Sequence, residues 1–311
     1  STAVFPRFFS AKKGFDVTLY GRADSVHLKR FVRERKNDLL VLPDCVKITS
    51  DINCFADADV IIISIGSQGL SGFMCELEPL GLENKIFVLC MKGIEVSTGR
   101  RLSEVAKDCC DVSNRIAVWL GPGHVQEFYA GIPNCMVIDS YDEAVKKLLV
   151  DSFTSELIRF YYGEDMIGNE IGAASKNVIG IAAGMLDGLG LSTLKGALMS
   201  RGTREIARLI DKMGGNELSA YGLCHLGDYE ATVFSKYSHN RMYGEMLVRG
   251  ENYTELAEGY YTAEAMVGLG EKYGVDLPIC SAVYSVIYEN RDVREVIGEL
   301  FGRSIKSEFY K

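Results

Sequence analysis

Residues 158–191 read IRFYYGEDMIGNEIGAASKNVIGIAAGMLDGLGL, and the chain changes character inside that stretch. Its first five residues, Ile158–Tyr162, form the last run with strand composition. Beyond them, over Gly168–Leu189, small and apolar residues recur at helical spacing. Upstream, short β-rich runs alternate with helical stretches: Asp16–Tyr20 (DVTLY), Val60–Ile65 (VIIISI), Ile86–Cys90 (IFVLC), Ile116–Leu120 (IAVWL) and Met136–Asp139 (MVID). These runs are nearly continuous in apolar and β-branched residues, which predicts strands covered on both faces, as in a parallel sheet under helices. Downstream, helical periodicity continues over Gly202–Met213, Thr262–Tyr273 and Cys280–Asn290. The fold class expected is α/β: a Rossmann-like doubly wound sheet over residues 1–165, then an all-helical domain over residues 166–311.

The bulk composition narrows the function classes. With 311 residues, 47% apolar and 24% charged, the chain has the balance of a water-soluble two-domain protein. No apolar run approaches the length that spans a bilayer, and no secretory leader is evident. A formal charge of -8 argues against nucleic acid as a partner. It does not exclude a small anion bound by a local cluster of cations. The nine cysteines are unpatterned. They read as reduced thiols of a cytoplasmic protein, and with scattered histidines they offer no metal site.

Six short segments, in order, carry a stronger signal. They are Met91–Glu95 (MKGIE), Gly121-Pro122-Gly123-His124 with Glu127, the helix 170–191, Gly227-Asp228, Ser238–Tyr243 (SHNRMY) and Leu256–Gly259 (LAEG). They resemble, respectively, the T-K-G-I-E, G-P-S-F-x-x-E, L-K-N, G-L-G-D-L, S-R-N-R-R-F and V-V-E-G motifs of the NAD(P)-dependent glycerol-3-phosphate dehydrogenases. The resemblance runs from AKKGFDVTLYGR (11–22) to REVIGELFGR (294–303). It implies hydride transfer between NAD or NADP and the pair dihydroxyacetone phosphate and sn-glycerol 3-phosphate. It also implies supply of glycerophospholipid synthesis, and a homodimer.

The residues support that chemistry on physical grounds. Lys176 is the one lysine of an apolar helix, and its neighbours at helical spacing are Gly172, Ala173, Gly180 and Ala183. Such a face is expected to let a bulky group, the nicotinamide, come close. A desolvated ammonium loses protons more readily, so Lys176 is expected to act as acid and base, with Lys92 pushing the same way. The alternative is an ordinary solvated lysine. Asp228 is expected to orient Lys176 and bond a substrate hydroxyl; otherwise it is a plain loop carboxylate. The resemblance implies that Asn177, Gly121 and Gly123 hold the substrate. It gives its phosphate to Lys92, Ser238, His239, Asn240 and Arg241. His239 stands where the family has arginine, Gly66 where it has proline, and Gly123-His124 where it has Ser-Phe. Asp187 reads as a structural turn ligand, and Trp119 as core.

The cofactor side is expected at Ser1, Thr2, Arg22, Lys92, Val125, His239, Leu256 and Glu258. Arg22 follows the DVTLY run, where an arginine can receive the 2′-phosphate of NADP; its alternative is a solvated loop residue. Ser67-Gln68 follows another strand and reads as ligand-binding or as a polar turn. Glu258 reads as a cofactor contact or a helix-capping glutamate. A glycine-rich loop is not visible: counting back from AKKGFDVTLYGR puts its third glycine at Ala3 and the others before Ser1. Either the natural beginning is missing or the segment has diverged. Two other functions therefore stay open, a related dehydrogenase with another small phosphorylated substrate and a silent, ligand-binding relative.

Overall fold

The computed structural model describes residues 14–123 and 125–309. In chain order its sheet-bearing part runs β1 (Thr18–Tyr20), α1 (Val26–Glu34), β2 (Lys47–Thr49), β3 (Val60–Ile63), α2 (Leu70–Leu77) and β4 (Ile86–Leu89). It continues with β5 (Ile94–Glu95), β6 (Arg100–Arg101), α3 (Leu102–Asp108), β7 (Arg115–Leu120), α4 (Val125–Tyr129), β8 (Asn134–Ser140), α5 (Glu143–Phe153) and β9 (Ile158–Tyr162). Long helices follow: α6 (Met166–Gly188), α7 (Lys195–Lys212), α8 (His239–Arg249), α9 (Glu258–Tyr273), α10 (Pro278–Tyr288) and α11 (Val293–Phe301). No further strand is found among the described residues after Tyr162.

The doubly wound sheet is present, and one of its strand pairs runs antiparallel. The main sheet has the order β3-β4-β7-β8-β9. β3, β4 and β7 are parallel, but β8 runs antiparallel to β7 and then parallel to β9. The connection from β7 to β8 runs through α4 and turns at Gly131, where φ is +78°, so that β8 returns beside β7 in the opposite direction. β1 and β2 form a separate parallel pair among the described residues. β2, with only Lys-Ile-Thr, is too short to announce itself in the sequence, as are the two-residue strands β5 and β6, which pair as a hairpin.

Two of the predicted helices begin earlier than their apolar pattern. α7 starts at Lys195 rather than Gly202, because its first turns carry basic and small residues. α9 starts at Glu258 rather than Thr262, where Tyr260 and Tyr261 face outward and hide the period.

α6 is the shared wall. Ile171, Val178 and Ile181 pack with Ile206, Leu209, Met266, Leu269 and Val283 of the helical part. Ala173, on another face, packs with Ile63, Leu89, Val118 and Leu120 of the sheet. Burial on every side explains why its composition is apolar throughout rather than striped. Trp119 is core, with its indole N–H against the Met136 sulfur at 3.1 Å.

Candidate active site

The C-terminal ends of the parallel strands β3, β4 and β7 open at Gly66-Ser67, Met91-Lys92-Gly93 and Gly121, and α6 passes alongside them. Parallel sheets collect ligands at this edge. Lys92, just past β4, reaches the Gly121 carbonyl at 2.8 Å, where Gly121 adopts φ +127°. Only glycine takes that conformation without strain, and a Cβ there would also lie 3.0 Å from the Met136 Cα.

Lys92 Nζ also lies 2.5 Å from Oδ2 of Asp228, and Lys176 Nζ lies 2.8 Å from the same oxygen. Lys176 and Asp228 are buried, whereas Lys92 is 22% exposed and faces the opening. Lys176 also donates to the Thr232 hydroxyl at 2.6 Å, and Thr232 donates to the Asp228 carbonyl at 2.8 Å. Burial lowers the Lys176 pKa to about 8; Asp228 works against that fall and the Lys92 charge adds to it. Among the described residues, Oδ1 of Asp228 is buried without a hydrogen-bond partner. Such an acceptor is costly to leave bare, and it suits a ligand hydroxyl.

Asn177 extends the cluster. Its amide donates to the Lys92 carbonyl at 3.4 Å, and its oxygen accepts from Asn240 at 3.1 Å. The Asn240 oxygen in turn accepts from the Gly259 N–H at 2.8 Å. Ser238 caps α8, its hydroxyl taking the Arg241 N–H at 3.3 Å. His239 is exposed and its Nδ1 meets the Tyr253 hydroxyl.

Arg241 is not brought to this cluster. Its guanidinium is held by Asp187 and Glu245, both at 2.8 Å, and by the Ser235 carbonyl. Asp187, also bonded to Ser192 and Lys195, is the structural anchor expected of it. The glycine–alanine face of α6 also needs correction, because protein rather than nicotinamide fills it. A Cβ on Gly172 would lie 3.0 Å from that of His225, and one on Gly180 would lie 2.7 Å from Thr232 Cγ2.

On the cofactor side, Glu258 accepts the Ser67 N–H at 3.0 Å and its hydroxyl at 2.5 Å, tying α9 to the end of β3. Gln68 is a structural clamp, bonded to the Ile94 carbonyl and the Val96 N–H. Arg22 is exposed and paired with Glu76 at 2.5 Å. Leu256 and Ile65 are exposed apolar side chains; a Cβ on Gly66 would lie 3.7 Å from Glu258 Oε1 and 3.8 Å from Leu256 Cδ2, and one on Gly69 would lie 3.8 Å from Ile65 Cδ1. The bare Asp228 oxygen and the Lys92 amine beside it suit a ligand carrying polar groups at this edge. Gly123 takes φ +126°, turning the chain into α4. Val125 opens that helix. Ser1, Thr2, His124 and the expected glycine loop lie outside the described residues. Among the described residues, no group of three His, Cys, Asp or Glu side chains could hold a metal.

Comparison with known proteins decides the family. The N-terminal and C-terminal profiles of NAD-dependent glycerol-3-phosphate dehydrogenase match residues 8–146 and 165–298. The chain belongs to the NAD-dependent glycerol-3-phosphate dehydrogenase family. A glycerol-3-phosphate dehydrogenase (NAD(P)+) of Prosthecochloris aestuarii is 35% identical, over 96% of this chain and 94% of its own. One of Staphylococcus haemolyticus is 34% identical over the same shares, 96% and 94%. The crystal structure of glycerol-3-phosphate dehydrogenase from Coxiella burnetii has a TM-score of 0.90 at 27% identity, covering 97% of this chain and 95% of that one. An oxidoreductase of this family takes NAD or NADP as its cofactor.

The dehydrogenase site includes one residue that sequence reasoning missed, Thr232. Its only signal was its place four residues after Asp228, within one helical turn.

Proposed function

We propose that the protein interconverts dihydroxyacetone phosphate and sn-glycerol 3-phosphate, with Lys176 as the acid and base. The observation that carries this reading is a buried amine with its pKa lowered to about 8, held on a carboxylate beside a second, more exposed amine. The nicotinamide, when bound, supplies or accepts the hydride. In the reducing direction the carbonyl carbon gains hydride, the oxygen gains charge, and the Lys176 ammonium gives that oxygen its proton. In the oxidising direction the neutral amine takes the proton back. Asp228 holds the amine with Oδ2 and leaves Oδ1 for a hydroxyl of the substrate. Lys92, at the opening, neutralises charge on the phosphate, with Asn177, Ser238 and Asn240 beside it. Arg22, Leu256, Glu258 and His239 line the side given to the cofactor, and His239 supplies an imidazole where the family has arginine.

The division into 1–165 and 166–311, a homodimer, a cytoplasmic setting and the supply of glycerophospholipid synthesis belong to the same reading. None of the nine cysteines, all within the described residues, forms a disulfide, which fits that setting. Lys176→Ala is expected to abolish turnover, by a factor of about 10² or more, while NADH or NADPH affinity measured by fluorescence stays nearly unchanged. Wild-type kcat in that variant would remove Lys176 from the mechanism. His239 favours a second reading, in which another small phosphorylated ketone is preferred. Rates over a panel of ketones with reduced cofactor separate the two.

A further inference from the structure

Three of the residues that depart from the family motifs quoted above meet in space. Ser175 stands where L-K-N has leucine, and His225 and Tyr229 stand where G-L-G-D-L has its first glycine and last leucine. His225 is wholly buried. Its Nδ1 lies 2.8 Å from the Gly172 carbonyl on α6 and 3.3 Å from Ser175 Oγ. Its Nε2 lies 2.7 Å from the Tyr229 hydroxyl. A carbonyl can only accept, so Nδ1 carries the proton and Nε2 accepts from tyrosine. The absence of a side chain at Gly172 gives the ring its seat, because a Cβ there would meet that of His225 at 3.0 Å. Ser175 directs its own proton to the Ile171 carbonyl at 2.7 Å.

The ring thus clamps both ends of the short turn Leu226–Asp228. One end is tied to the helix that carries Lys176, and the other to the residue directly after Asp228. We propose that His225, with Tyr229 and Ser175, is a positioning residue that sets the Asp228 carboxylate on the Lys176 amine and thereby sets that amine's acidity. Burial keeps the ring neutral, with a pKa lowered to about 4, so the clamp does not itself titrate over the working range. The ionisable groups facing this part of the site are Asp228, Lys92, Cys224, His225 and Tyr229, with Asp139 near Cys224 and Glu205 near Tyr229. Of the charges that bear on Lys176, Asp228 raises its pKa and Lys92 lowers it. A carboxylate that drifts away therefore leaves the amine more acidic.

The test follows the Lys176 amine in cofactor-free protein, by carbon NMR of lysine labelled at Cε, with Lys176→Met to assign the signal. Tyr229→Phe removes only the hydroxyl. His225→Asn keeps a donor for the Gly172 carbonyl and loses the link to Tyr229. The Lys176 midpoint is expected to fall by roughly half a pH unit or more in Tyr229→Phe. kcat should drop about tenfold, as displacement of a reacting group does, with cofactor affinity held. An unmoved or raised midpoint in folded Tyr229→Phe overturns the proposal, whatever happens to thermal stability. If His225→Asn does not fold, Tyr229→Phe decides alone. The proposal rests on Lys176 being the acid and base only for its effect on kcat. Retained turnover in Lys176→Ala would sink that role, and the NMR midpoint would still report on the clamp.

Discussion

Lys176 shows how one side chain acquires a working pH. In the proposed reaction, dehydrogenation needs the neutral amine and reduction needs the ammonium, so the two directions must respond to pH with opposite sign. With the amine titrating at about 8, kcat for alcohol oxidation should rise as pH increases through that value, and kcat for ketone reduction should fall. Initial rates from pH 6 to 10 in both directions check this, and a single shared slope would contradict it. Lys176→Arg, fixed in the charged form, should lack both limbs. Lys176, Asp228 and Lys92 were legible in the sequence because their motifs are dense and ordered, and because a lysine in an apolar helix is costly unless paired. Arg241 was misread for a physical reason. Its partner Glu245 stands four residues on in the same helix, but Asp187, which shares the guanidinium, lies 54 residues away and leaves no local pattern. The α6 glycines misled in the same way, since a face without side chains admits a neighbouring helix as readily as a ligand.

At the scale of elements, the approach of α6 to α8 governs where Asn240 sits. A Cβ on Gly184 would lie 1.9 Å from the Arg241 carbonyl oxygen, and one on Gly244 would lie 2.1 Å from that of Ile181. Gly184→Ala must therefore push α8 off, at a cost of about 1–3 kcal/mol or more. It should raise the substrate KM more than the cofactor KM; equal, wild-type constants with unchanged urea midpoint would refute the contact. The strands β3, β4, β7 and β9 were readable as apolar runs, and β9 falls on the residues expected. The reversal of β8 was not, because a strand buried on both faces reads the same in either direction.

At the scale of the molecule, the site exists only where the two parts meet. Lys92 and Gly121 come from the sheet, and Lys176, Asp228 and Asn240 from the helices. A buried ion pair fastens this junction: Arg101 of β6 meets Glu170 of α6 at 2.7 Å, and Glu170 also takes the Ser103 N–H and hydroxyl. Removing one partner strands the other in low dielectric, so Arg101→Ala should cost about 3–5 kcal/mol in denaturant unfolding. A loss below about 1 kcal/mol would mean that water reaches Glu170.

The arrangement of two amines on a single oxygen of Asp228 has a thermodynamic consequence. A phosphate dianion docking beside Lys92 screens the repulsion that adds to the burial-driven acidity of Lys176, so its affinity for protons rises on complex formation. Near pH 8 the protein must then draw hydrogen ions from the medium as ligand enters. The heat of glycerol 3-phosphate binding, measured by calorimetry in buffers of different ionisation enthalpy, should vary linearly with that enthalpy. Identical heats in every buffer would show that no proton moves.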